Sequence, residues 1–237
     1  MKIIVSLAVM TALVVLEQGA SCRAAESDGV ALAIVYDTSG SMRDAVRDRA
    51  GKASAKYIIA NRALVAVAKQ IQAFATNDAT GGPRTIQAGL FVFSGDGARM
   101  AVPFGPFDAK ALEQFARTFT RPTGNTPLGN ALSAAARTLM DSPLSRKHVL
   151  IITDGENTAG PTPAAVLPRL QEQAREKQTG LSVHFVAFDV DAKVFGAVKK
   201  LGATVVSASD EKQLNTQLEF VLQRKILLEE EEPVKKQ

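Results

Sequence analysis

Val30 Ala31 Leu32 Ala33 Ile34 Val35 Tyr36 Asp37 Thr38 Ser39 Gly40 Ser41 is the stretch on which the reading of this chain turns. Its first seven residues are an unbroken apolar run and read as a buried strand. A carboxylate closes the strand, and a turn containing Gly40 follows with the hydroxyls of Ser39 and Ser41. A strand end of this kind can aim several hard oxygens at one point. Oxygen-only ligands suit Mg2+, Mn2+ or Ca2+ rather than zinc.

Beyond this run the pattern alternates. Leu64, Val67, Ala68, Ile71 and Phe74 recur at helical spacing over residues 61–75, and a buried strand is predicted over 86–93. The turn Ser94 Gly95 Asp96 Gly97 then leads to a short strand at 99–102, which makes the pair a hairpin. Asp108 caps a helix facing inward with Leu112, Phe115, Ala116 and Phe119. Thr126 Pro127 opens another, with Leu128, Leu132, Ala135 and Leu139.

A strand over 148–153 ends at Asp154 Gly155. A helix begins near Pro163, with Pro168 inside it and Gly180 as its C-cap. A strand at 181–188, a short helix at 193–201 closed by Gly202 and a strand at 204–207 follow. Asp210 and Gln213 resemble a capping box for a final helix. The stretch 43–56, polar and basic, reads as an extended loop.

Strands alternating with helices imply a doubly wound, Rossmann-like α/β domain. Its mostly parallel six-stranded sheet has one antiparallel edge strand and helices on both faces. In the common order 3-2-1-4-5-6 the ligand crevice opens between the carboxyl ends of strands 1 and 4. Those ends carry Asp37 and Asp154, and Thr126 lies on the same edge. Taken singly, each residue fits an ordinary turn or cap; it is their shared edge that points to a metal.

These residues carry a family resemblance. Asp37 Thr38 Ser39 Gly40 Ser41, then Thr126 in Gly124 Asn125 Thr126 Pro127 Leu128, then Asp154 in Ile151 Ile152 Thr153 Asp154 Gly155, resemble the metal-ion-dependent adhesion site of von Willebrand factor type A domains. The resemblance spans nearly the whole chain after its first residues. It implies that Ser39, Ser41 and Thr126 supply hydroxyl oxygens to Mg2+, or to Mn2+ or Ca2+, with Asp37 and Asp154 acting directly or through water. It also implies an open coordination position that a protein partner fills with an Asp or Glu carboxylate. Gly124 Asn125 departs from the Gly-Gly often found before this threonine, a change expected to affect loop shape more than ligation.

Composition bounds the rest. Lys2 followed by an apolar run over 3–16 reads as a signal peptide of residues 1–25, too short to span a bilayer, which needs roughly 20 apolar residues. The expected domain is 26–228, with a charged tail at 229–237. The leader implies export to the periplasm, the cell surface or the medium. Cys22, the single cysteine, is also a lipoprotein candidate, although Gly19 Ala20 Ser21 Cys22 lacks the usual leucine three residues before it. With one cysteine the domain must rely on its core, not a disulfide.

The net charge of +4, the absence of Trp and the dispersed basic residues exclude a nucleic-acid footprint. For enzyme chemistry, His148 and His184 are not placed at the carboxyl edge, and no Gly-x-Ser-x-Gly elbow or P-loop is present. Ser39 stands where a phosphate-accepting aspartate motif has its second aspartate. A binding module is the expectation. A Mg2+-dependent hydrolase of small phosphorylated or carboxylated substrates, or a metal-stabilised scaffold, are the alternatives.

Overall fold

In the computed structural model, which describes residues 27–76 and 84–228, the opening apolar run is strand β1 (Ser27–Tyr36), buried throughout from Val30 to Tyr36. The expected leader with Cys22 and the tail at 229–237 lie outside the described residues. Along the chain follow β2 (Ala45–Arg47), β3 (Ala53–Ala55), α1 (Lys56–Ala75), β4 (Ile86–Ser94), β5 (Gly97–Pro106), α2 (Ala109–Thr118) and α3 (Leu128–Met140). Then come β6 (Leu144–Thr153), α4 (Pro163–Glu176), β7 (Ser182–Phe188), α5 (Gly196–Lys200), β8 (Thr204–Ala208) and α6 (Glu211–Val221).

The main sheet runs β5-β4-β1-β6-β7-β8, parallel except for the β4–β5 hairpin at one edge. This is the order 3-2-1-4-5-6 expected from the sequence. β1 is buried on both sides because it is central: Ile34 pairs with Leu90 of β4 and with Leu150 of β6. Its alternation sorts the two cores. Val30, Leu32, Ile34 and Tyr36 pack with α1, α2 and α6, whereas Ala31, Ala33 and Val35 meet α3 and α4. The small residues of β1 face Ala131, Ala135 and Ala136 of α3, which lets that helix lie close to the sheet. On the other face Tyr36 fills the space with its ring edge-on to Phe115 and Phe119, and its hydroxyl donates to Asn61 Oδ1 at 2.7 Å.

The stretch expected as an extended loop differs most. Residues Gly40–Arg43 form a 3-10 turn, β2 and β3 pair as a small antiparallel hairpin that buries Val46, and α1 starts at Lys56, five residues before its apolar periodicity becomes visible. The hairpin is fastened to the start of α6. The backbone of Arg47 pairs with that of Asp210 in an isolated parallel β-bridge, Arg49 N–H donates to Glu211 Oε2 at 2.8 Å, and Arg62 of α1 reaches both oxygens of Glu211. That two-pronged contact is why a glutamate only 2% exposed is tolerated there.

Other boundaries shift for local reasons. β5 is longer than expected, because the hairpin ladder continues from Gly97 to Pro106 opposite β4. α4 keeps Pro168 inside it and ends at Glu176 with Lys177 as its C-cap, and Gln178 then takes the left-handed conformation (φ 51°), so Gly180 is not its cap. The segment expected as one helix at 193–201 is a 3-10 turn, Ala192–Phe195, followed by α5. α6 has the expected Asp210 cap, which accepts from Gln213 N–H at 2.8 Å, and passes into a π-helical turn at Leu222–Leu227. Among the described residues no helix is long and apolar enough to cross a membrane.

Candidate metal centre

Because β1 and β6 are neighbours in register, Tyr36 opposite Ile152, the chain brings Asp37 and Asp154 to one edge of the sheet. This edge lies where the connections from the two strands leave toward opposite faces. Asp37 is fully buried. Its Oδ1 accepts from Ser39 N–H at 2.7 Å and its Oδ2 from the Thr153 hydroxyl at 2.6 Å. The carboxylate thus folds the turn back on β1 and ties it to the end of β6.

Ser39 Oγ and Ser41 Oγ stand 3.0 Å apart, and Ser41 donates to Asp154 Oδ1 at 2.8 Å. The loop before α3 is locked against this turn, with Thr123 N–H donating to Thr38 O and Gly40 N–H to Gly124 O. It delivers Thr126, 4% exposed. Thr126 does not cap α3: the cap position is Pro127, which has no side-chain cap bond, so the helix starts without using the threonine hydroxyl. Thr126 is held instead by the loop after β6, through Thr126 N–H to Thr158 Oγ1 at 2.8 Å and Thr158 N–H to Thr126 O at 3.0 Å.

The hydroxyls of Thr126 and Ser41 face one space over Gly155. A side chain there would begin 3.9 Å from Ser41 Oγ and 4.0 Å from Thr126 Oγ1. All five sequence-predicted residues therefore converge: Asp37, Ser39, Ser41, Thr126 and Asp154. Burial, and then the neighbouring charge of Asp154, push the Asp37 carboxyl up to about 6 despite its hydrogen bonds. Two buried carboxylates facing three neutral hydroxyls form an oxygen-only donor set that fits a hard divalent cation. Among the described residues no group of three or more His, Cys, Asp or Glu side chains could hold a metal, so no thiolate or imidazole site competes.

Sequence reasoning missed two members of this neighbourhood. Lys56, the first residue of α1 and only 5% exposed, places Nζ 3.1 Å from Asp154 Oδ2 and 3.0 Å from Asp189 Oδ2. Asp189 directly follows β7 and so lies on the same carboxyl edge, which the strand-end rule could have flagged. Lys56 gives no local signal, since its partners are far along the chain. His148 and His184 sit elsewhere. They stack on each other across β6 and β7, Nδ1 to Nε2 at 3.2 Å, and His148 lies on β6 six residues before Asp154.

Comparison with known proteins agrees with this architecture. Among solved structures, the D319A mutant of the PilB minor pilin of Streptococcus sanguinis superposes with a TM-score of 0.62 at 17% identity, over 84% of this chain and 61% of that one. The von Willebrand factor domain of the type V pili tip protein Mfa5 of Porphyromonas gingivalis gives 0.59 at 13% identity, over 88% of this chain and 99% of that one. Proximal thread matrix protein 1 of the mussel byssus, described with a zinc-occupied metal-ion-dependent adhesion motif, gives 0.59 at 18% identity, over 84% of this chain and 48% of that one. The present chain spans about three fifths of the PilB chain and about half of the byssus protein. No curated protein sequence matches it. The family model for the von Willebrand factor type A domain matches residues 31–219, from the first part of β1 to the last turn of α6, and the chain belongs to that family.

Proposed function

We propose that this chain is an exported binding module that holds a divalent cation with Asp37, Ser39, Ser41, Thr126 and Asp154 and uses it to capture an acidic side chain of a protein partner. The observation that carries the reading is the convergence of three hydroxyls on two buried carboxylates at the switch point of the sheet. When bound, such a cation supplies a Lewis-acidic position that accepts one more anionic oxygen. The chain's own residues fix the donors: Thr153 and Ser39 N–H hold Asp37, and the Thr158 bonds hold Thr126. Arg43, in the turn of the metal loop, and Arg121, on the loop leading to Thr126, are exposed and add a positive rim suited to an acidic partner.

An enzymatic role fits less well, since the two histidines are buried together on the sheet and supply no general base at the edge. Export rests on the apolar N-terminal run, read as a leader of 1–25 before a domain of 26–228, and accords with the pilus proteins among the structural neighbours. Mg2+ is the first choice of ion, with Mn2+ or Ca2+ next. The zinc in the byssus protein makes Zn2+ a necessary comparison.

The test is calorimetric titration of Mg2+, Mn2+, Ca2+ and Zn2+ into chelator-stripped protein. Saturable one-site binding is expected, and Asp37→Ala, Ser39→Ala and Thr126→Ala should each weaken it by at least about tenfold. Folded variants that bind as the wild type does would remove these residues from the site. The rim gives a second expected result. Association of the metal-loaded protein with an acidic peptide should slow as salt rises, and Arg43→Glu with Arg121→Glu should flatten that dependence; an unchanged salt slope would discard steering.

A further inference from the structure

Lys56 is an unusual residue for its place. The first turn of a helix favours acids, because the unpaired N–H groups there carry partial positive charge. α1 has no acid in its first turn and no side-chain cap. It begins with an ammonium that is 5% exposed. A buried charge persists only when paired, and Lys56 is paired twice, with Asp154 Oδ2 at 3.1 Å and Asp189 Oδ2 at 3.0 Å. Asp189 itself adopts φ 57°, a left-handed conformation that Asp and Asn tolerate better than other side chains, and its N–H donates to Ala208 O at 2.7 Å, which fixes the carboxylate's place at the strand end. The fold therefore accepts adverse helix-end electrostatics to keep one positive charge against a carboxylate of the candidate metal centre.

We propose that Lys56 is a resident cation of the crevice, which competes with the divalent ion for Asp154 and sets how tightly that ion is held. The inference rests on the metal-binding reading above and specifies its regulation. Asp154 Oδ1 is engaged by Ser41 and Oδ2 by Lys56, so without metal the lysine supplies the compensation a cation would give. With metal bound, the same ammonium makes the crevice one unit more positive than the hydroxyls and carboxylates alone would. Repulsion between charges at this range in a partly buried site changes an equilibrium by about tenfold or more. The exposed carboxylate of Asp189, 41% accessible, draws part of the ammonium away from Asp154 and moderates the competition.

The experiment uses the full chain, stripped with chelator, with Mn2+ as probe. Mn2+ affinity is read by calorimetry and metal-free stability by thermal melting in chelator. For Lys56→Gln, a lower melting temperature without metal and Mn2+ affinity tighter by about tenfold or more are expected; Lys56→Arg, which restores the charge, should return both toward wild type. Asp189→Asn keeps a side chain that tolerates the left-handed backbone, and should weaken Mn2+ binding several-fold even if Lys56→Gln fails to fold.

Wild type that binds Mn2+ while Lys56→Gln binds equally or more weakly would overturn the inference and leave the metal reading standing, with Lys56 only positioning Asp154. An unchanged affinity in Asp189→Asn would likewise count against it. Binding in Lys56→Gln but not in wild type would support the competition and show that the native lysine wins it. Binding in neither would overturn the metal reading and the inference together.

Discussion

Acidifying the metal-free protein from pH 7 to pH 5 is expected to lower its unfolding free energy by about 3 kcal/mol, with His148 and His184 as the cause. Burial, followed by the charges of His184 and Arg146, pushes His148 down to about 3. Burial, followed by Lys225 in the π-helical turn after α6, pushes His184 down to about 4. Both are depressed, so the unfolded chain takes up protons that the folded one refuses. Their contribution is complete above the ordinary histidine value near 6.5 and is lost as pH falls toward those two values. Over this interval each histidine removes about 1.4 kcal/mol per pH unit below 6.5.

Asp37 works the other way. Its folded value is raised to about 6, so its contribution is present below the ordinary carboxyl value and lost as pH rises through about 6. Acidification to pH 5 therefore returns about 1 kcal/mol through Asp37. The two histidines outweigh it. Urea midpoints across this range would show the decline, and a double variant, His148→Leu with His184→Leu, should flatten or reverse it, because both rings that take up protons on unfolding are then gone. A double variant as acid-sensitive as the wild type would move the cause elsewhere.

Gly129→Ala is expected to cost about 3 kcal/mol, and to lower the melting temperature by roughly 10 °C. Gly129 is the second residue of α3, and a Cβ there would fall 2.0 Å from Pro161 O and 2.9 Å from the carbonyl carbons of Pro161 and Thr162. These are backbone atoms and cannot rotate aside. The crowded segment is the loop after β6, which holds Thr126 through Thr158 and meets Gly129 N–H through Asn157 Oδ1 at 3.2 Å. Metal affinity should therefore fall along with stability. Gly196→Ala is the matched control: Gly196 opens α5, a Cβ there would meet no atom within 4 Å, and the change should be neutral or slightly stabilising. A melting temperature for Gly129→Ala within about 2 °C of wild type would show that the loop yields freely.

How much was legible in the sequence follows from the range of the interactions. β1 and its terminal Asp37 could be read because apolar continuity is local, and alternation with helices pointed to the common doubly wound arrangement, with whose strand order the order β5-β4-β1-β6-β7-β8 and the antiparallel edge agree. The convergence of Asp37 with Asp154 was reachable by topology, since it needs only which two strands are neighbours. The β2–β3 hairpin was not legible. Ala45 Val46 Arg47 and Ala53 Ser54 Ala55 have little strand character and are held by Asp210 and Glu211, more than a hundred and fifty residues away. Lys56 was hidden for the same reason, its charge reading as solvent-facing until Asp154 and Asp189 are in place. Gly180 misled because glycine usually closes a helix, whereas here Gln178 accepts the left-handed turn two residues earlier.

The central position of β1 also dictates an order in time. Val30 pairs with Ile86 on one side and with Arg146 on the other, so this strand, the first of its sheet to be synthesised, must wait for partners more than fifty and more than a hundred residues behind it. Such long-range pairing makes folding slow, and it keeps an apolar, strand-forming segment uncovered during synthesis. The second edge of β1 can be covered only once β6, Leu144–Thr153, has been made. A chain arrested at residue 140, just before β6, would have no means of covering its own first strand on both edges.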